Sequence, residues 1–279
     1  MDEEYLRALE LFDKGVKLER LGRHEDAIAA FDSAIAIAPG LAFPWYVRGN
    51  ALYELGHYPD AIDCYKKALD LDPDYADAWN NLGLSEFKLL HYTDALSAFD
   101  KAIARDPSNA FSWNNRGVIL QIQKKNVEAV DAFDHALAID PKYTEPLVNK
   151  SNALLALGRY TDAITTYNAI LHLDSRNAQI WQEKGHAQAL IEQYDGALES
   201  FNQALLIEPK NSKILIEKAK TLYTLKKFPE AIEVLENVLF LDDANVLAWV
   251  TKGHALTLLD RYRDAVFAFN KALTLDPDC

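Results

Sequence analysis

Three asparagines, Asn81, Asn115 and Asn149, stand 34 residues apart along the chain. A carboxamide carries N–H donors and a carbonyl acceptor, the same groups that a peptide backbone presents. A row of them would therefore grip an extended chain through paired hydrogen bonds. Asn50, Asn80, Asn114 and Asn152 fall close by. Asparagine is a mediocre helix former, so its repeated use inside helical patterns calls for a reason other than propensity. Aromatic residues accompany the amides at Phe43, Tyr46, Tyr53, Phe87 and Phe111. Such side chains give large contact area with few rotamers to freeze, which suits recognition.

Other chemistry finds little support. The chain lacks a Gly-x-x-x-x-Gly-Lys phosphate loop, a Gly-x-Gly-x-x-Gly turn and a His-Glu-x-x-His helix. His24, His57, His91 and His135 are spaced too widely for a shared metal, and His186 and His254 fall ~20 Å apart if each repeat advances by one helix-pair width. The expectation is a protein that is not an enzyme, with no catalytic residues, no cofactor and no metal. The formal net charge of −13 disfavours nucleic acid and favours basic or neutral partners. No stretch approaches the ~18 unbroken apolar residues of a membrane span, and the N-terminus shows no signal-peptide pattern. Cys64 and Cys279 do not make a disulfide framework. Cys64 reads as a small apolar side chain and Cys279 as an exposed thiol. A cytoplasmic location is expected.

The elements that must position these residues are set by the same 34-residue period. Trp45, Trp79, Trp113, Trp181 and Trp249 keep it, as do eight alanines from Ala27 to Ala265. Such a period marks a stacked-repeat architecture. The phase gives units 8–41, 42–75, 76–109, 110–143, 144–177, 178–211, 212–245 and 246–279, with 1–7 extending the first helix. The eighth position of each unit is small, mostly glycine (Gly49, Gly83, Gly117), as close helix crossing requires. The twenty-fourth is aromatic in all units but the seventh, where it is Leu235.

In the third unit Trp79, Leu82, Gly83 and Glu86 follow helical spacing, and Ala95, Leu96, Phe99, Ala102 and Ile103 give a second stripe. Asp106-Pro107 ends it. Asn109, Asn177, Asn211 and Asn245 precede first helices as N-caps. Pro59 and Pro229 open second helices.

Trp79, Leu82, Gly83, Ala95, Phe99, Ala102 and Pro107 resemble the motif of the tetratricopeptide repeat family. The resemblance covers about the whole chain. It implies an all-α fold: a right-handed superhelical α-solenoid of eight helix-turn-helix units, whose first helices line a concave groove. It also implies a non-enzymatic scaffold that binds an extended peptide in that groove. The alternatives are a regulatory or targeting arm of a larger enzyme, such as a glycosyltransferase or kinase, or a purely architectural module. Carried onto this chain, the groove positions are Phe43, Tyr46, Asn50, Asn80, Asn81, Phe87, Phe111, Asn114, Asn115, Asn149 and Asn152.

The cation-rich clamp by which co-chaperones of this family hold acidic tails is not matched, because Tyr46, Phe111 and Asn115 stand where it needs basic residues. Lys213 and Lys220 give the later units a different groove. The seventh unit departs most from the motif and is expected to pack more loosely. Phe269, Leu273 and Leu275 have no following unit to cover them, which suggests a fragment of a longer chain or self-association through that end. Trp79→Ala is expected to cost ~3–5 kcal/mol as the loss of a large buried side chain.

Overall fold

The computed structural model describes residues 3–277. Among the described residues all regular structure is helical, in sixteen helices. The chain divides into two compact units between Pro146 and Leu147. The first holds α1 (Glu3–Arg20), α2 (His24–Ile37), α3 (Ala42–Glu54), α4 (Tyr58–Leu71), α5 (Ala76–Lys88), α6 (Tyr92–Arg105), α7 (Ala110–Ile122) and α8 (Asn126–Ile139). The dividing point lies inside α9 (Thr144–Ala156), whose Leu147 takes the place that tryptophan holds in five other hairpins. The second unit continues with α10 (Tyr160–Leu173), α11 (Ala178–Leu190), α12 (Tyr194–Ile207), α13 (Ser212–Thr224), α14 (Phe228–Leu241), α15 (Val246–Thr257) and α16 (Tyr262–Leu275). Within each unit consecutive helices pack as hairpins, and each hairpin stacks on the next, the arrangement of an α-solenoid.

The periodic residues form the inside of each hairpin. Ala61, Ala95, Ala129 and Ala197 are fully buried, because only a methyl group fits where second helices meet their neighbours. Phe31, Tyr65, Phe99, Phe133, Tyr167 and Phe201 are almost completely enclosed. Their rings explain the small eighth position. A Cβ added at Gly117 would lie 2.5 Å from the Phe133 ring, and one at Gly83 would lie 2.7 Å from Phe99. The seventh hairpin replaces the ring by Leu235 and the glycine by Ala219, whereas the fifth sets Ser151 against the Tyr167 ring, its hydroxyl reaching the phenol, so a Cβ beside a ring is accommodated there. Leu235 and Val238 are 1% and 0% exposed, so the seventh hairpin keeps a closed core.

Two devices set the joints. Each turn inside a hairpin ends on one left-handed residue, with φ between 58° and 78°. Gly22, Gly56 and Gly158 fill it in three hairpins, and Leu90, Lys124, Glu192, Lys226 and Asp260 in the other five. The flanking amides close a Schellman motif, as in Gly56 N–H to Tyr53 and His57 N–H to Leu52, both 2.9 Å. Between hairpins, each tryptophan Nε1–H donates to the carbonyl six residues before it. Trp79 reaches Pro73 at 2.9 Å, Trp113 reaches Pro107 at 3.0 Å and Trp249 reaches Asp243 at 2.8 Å. The tryptophans are thus half-buried straps over a joint and not core residues, so the loss from Trp79→Ala falls below the figure for a fully buried side chain.

The expected caps form: Asn109, Asn177, Asn211 and Asn245 each accept a backbone N–H of the following first turn. Pro59 and Pro229 sit in the first turns of α4 and α14. Phe269 differs from expectation. It packs inside its own hairpin, with its ring against Gly253 and edge-on to His254. Val266 and Phe267 are exposed instead, alongside Leu273 and Leu275. Cys279 lies outside the described residues, and Cys64 is a buried free thiol.

Candidate functional site

In the first unit, α1, α3, α5 and α7 are the first helices of successive hairpins. Helical spacing places Phe43, Tyr46, Asn50 and Tyr53 on one stripe of α3, and bonds between first helices show which stripe faces which. Tyr65, from α4, donates its hydroxyl to Asn50 Oδ1 at 2.9 Å. Asn81 Nδ2 donates to the same oxygen at 2.9 Å and to the Tyr46 hydroxyl at 3.2 Å. Asn80 Nδ2 then donates to Asn81 Oδ1 at 3.1 Å. Asn80 Oδ1 accepts from Ser112 Oγ and Asn115 Nδ2, each at 3.2 Å. The amides therefore form one relay across three hairpins. Asn80 is 8% exposed and Asn114 is fully buried; Asn114 Nδ2 donates to the Tyr143 hydroxyl at 3.4 Å. Buried amides must be bonded, since an unmet polar group costs about 1–3 kcal/mol.

The structure thus divides the predicted site residues. Asn80, Asn81 and Asn114 are engaged within the unit, and both Asn81 N–H groups are used. Asn50 Nδ2 meets the Tyr46 hydroxyl with one N–H and keeps the other, Asn115 Oδ1 has no partner among the described residues, and both side chains are half-buried. Asn149 and Asn152 lie on α9 in the second unit, half-buried and exposed respectively. Among the aromatics, Phe43 is 50% and Phe111 61% exposed. Tyr46, Tyr53 and Phe87 are half-buried against Tyr75, Tyr58 and Tyr92, with centroids 4.7, 5.3 and 6.0 Å apart.

Burial pushes the Tyr46 hydroxyl above its ordinary range, and the Asp77 charge adds to this while bonds to Asn50 and Asn81 oppose it. Tyr65 and Tyr75 are raised further, again chiefly by burial. These phenols remain neutral hydrogen-bonding groups throughout the physiological range.

Three participants escaped the sequence reading. Phe12 packs against Phe43 at 5.2 Å, and Tyr75 and Tyr143 cover Tyr46 and Phe111. A signal existed: Tyr75 and Tyr143 hold the last position of units two and four, where units three, five, six and seven place the capping asparagine.

In the second unit, His186 Nδ1 lies 3.5 Å from Glu217 Oε2. Both line a cleft of about 280 Å³ with Lys220. Among the described residues, one set of ligand-type side chains converges: Glu86, His91 and Asp94, with their ligand atoms within 4.8 Å of one another. The base and the acid three residues after it recur at other turns, as Arg23–Asp26, Arg159–Asp162 and Arg261–Asp264. His91 and Asp94 are thus the local form of a repeated turn pair, with Glu86 accepting at 2.8 Å from the imidazole.

Sequence models described as tetratricopeptide repeat match residues 3–42 and 83–144, 120–186 and 192–249, and 246–279, and one described as TPR repeat matches 49–89. The chain belongs to the tetratricopeptide repeat (TPR) family. No curated protein matches it. Among solved structures it is similar to YrrB, described as a TPR protein with an unusual peptide-binding site. The identity is 25% and the TM-score 0.59, over 64% of this chain and 93% of YrrB. It is also similar to the C-terminal part of a TPR repeat-containing protein from Cytophaga hutchinsonii (17% identity, TM-score 0.72, 85% of this chain and 97% of that one). A third is pilF of Pseudomonas aeruginosa (18%, 0.62, 80% and 100%). The last two speak to the fold alone.

Proposed function

We propose that this TPR chain is a non-enzymatic scaffold whose first-helix face, in the unit ending at Pro146, binds an extended peptide of a partner protein. One observation carries the reading. Phe43 and Phe111 stay exposed beside an amide relay that keeps one N–H to spare at Asn50 and, among the described residues, an unpartnered acceptor at Asn115. Asn80, Asn81 and Asn114 hold the face rigid, and Asn50 and Asn115 address the peptide backbone. Tyr46 floors the face beside Phe43, and Phe87 adds an aromatic surface at the far end of α5. The likeness to YrrB supports peptide capture. The scaffold would work in the cytoplasm, a reading that rests on the absence of a disulfide framework in the sequence; no helix among the described residues is long and apolar enough to cross a membrane.

The test is selection of short random peptides, displayed on phage, against the whole chain. Enriched peptides should lose about tenfold or more in affinity for a Phe43→Ser/Phe111→Ser variant, since exposed aromatic anchors carry binding energy. Both substitutions are at exposed positions, so circular dichroism should be unchanged. No enrichment, or equal affinity for the variant, would refute the proposal.

A further inference from the structure

Two cavities lie at opposite ends of the stripe that runs along α3 beside α1. At the start of α3 is an apolar cavity of about 430 Å³, bounded by Phe43 with Leu9, Phe12, Leu41 and Tyr75. That volume falls among pockets that take small ligands, about 300–1,000 Å³. Phe43, Leu9 and Leu41 are 50%, 38% and 37% exposed, so the cavity is an unfilled apolar surface and not closed core. Its one charged wall residue is Asp72.

At the other end is a cleft of about 270 Å³, where Glu19 and Glu54 stand beside Asn50 and Tyr53. Glu19 Oε2 is buried and makes no hydrogen bond; His24 Nδ1 lies 3.2 Å away without the alignment to donate to it. Neither cavity is lined by lysine or arginine. Tyr46 lies between them on the α3 stripe, and Asn50 opens onto the second.

The spacing defines a ligand. Phe43 and Asn50 are seven residues apart on α3, and Leu9 and Glu19 ten apart on α1. At 1.5 Å per helical residue these spans are about 10–15 Å. An extended peptide advances about 3.3 Å per residue, so it covers that distance in about three to five residues.

We infer that the groove between α1 and α3 selects peptides carrying a bulky apolar residue and a lysine or arginine about three to five residues away. The apolar side chain fills the cavity at Phe43, the cation meets Glu19 and Glu54, and the backbone between them passes Tyr46 and Asn50. This rests on the scaffold reading and names its ligand class. An acidic peptide is excluded by the same carboxylates, on a chain whose net charge is already −13.

Phage-displayed random peptides are again the probe, selected on the whole chain and on two variants, Phe43→Ser and Glu19→Lys/Glu54→Lys. On the native chain the paired motif should rise about tenfold over its input frequency. Phe43→Ser should abolish the apolar preference and leave the basic one. Charge reversal should replace lysine and arginine by aspartate and glutamate at the same spacing. Peptides that bind without the pair, or that are unchanged by charge reversal, would overturn this inference while leaving peptide capture intact. A selection that yields no binder would remove both.

Discussion

Gly117→Ala tests whether the ring-to-glycine fit is what holds the fourth hairpin. The new Cβ would stand 2.5, 2.8 and 2.9 Å from three carbons of the Phe133 ring. Non-bonded carbons settle at about 3.5–4.0 Å, so the ring must retreat by about 1 Å. Phe133 is 0% exposed, with Ala129 and Ala136 equally enclosed nearby, so the ring has no free space to enter. Overpacking of this kind costs about 1–3 kcal/mol. With the ring fully enclosed the upper part of that range, about 2–3 kcal/mol, applies; alanine returns up to about 1 kcal/mol through its better helix propensity, which leaves a net loss of roughly 1–2 kcal/mol.

The seventh hairpin supplies the rescue, because Ala219 there faces Leu235. Gly117→Ala combined with Phe133→Leu should be less destabilised than the sum of the single changes, by about 1–2 kcal/mol. Amide hydrogen exchange in α7 and α8 is the assay, because repeat arrays need not unfold in one step and a global midpoint would blur a local effect. A neutral or stabilising Gly117→Ala, or strict additivity with Phe133→Leu, would refute the reasoning.

Two further predictions concern the joints and the tyrosines. Trp79→Phe keeps a ring but removes the donor to Pro73 and weakens the seat of Lys101, whose ammonium lies 4.2 Å from the indole centroid. It should cost about 1 kcal/mol, seen as faster exchange of the Asp74 and Tyr75 amides with little change in α8. Tyr143 is pushed up to about 12, first by burial and then by the charge and hydrogen bond of Glu145. Its ordinary value is 10.0, so its contribution to stability is complete below pH 10 and is lost as pH rises from there through 12. Glu145→Gln should narrow that window, as followed by ultraviolet titration of the phenol beside thermal melts; an unchanged titration would contradict the assignment to Glu145.

The fold was legible because the residues that break helices and those that fill hairpins repeat on one clock. Asn109 and Asn211 could be read as caps, since a side-chain acceptor before an apolar stripe has few other uses. The role of tryptophan was less legible: sequence shows a large apolar residue, whereas its indole N–H reaches a carbonyl six residues back. The amide face was half-legible. Spacing aligns Asn81 with Asn115, but it cannot show that Asn80 lies between them and accepts the Asn115 N–H that a ligand would otherwise use. The turn conformations were hidden as well, because only three of eight carry the glycine that would have announced φ > 0.

Those turns and the tryptophan straps have a joint consequence for how this chain can change. One closes a ring of fixed atom count inside every hairpin, and the other closes a ring of fixed atom count between hairpins. An extra residue in either place would open the ring it falls in and turn the two helices joined there away from each other. Substitutions are absorbed locally, as Lys124 and Asp260 show by standing where glycine would be easier. Length within a ring is not, so a change by whole modules disturbs these rings least, while the surface remains free to vary.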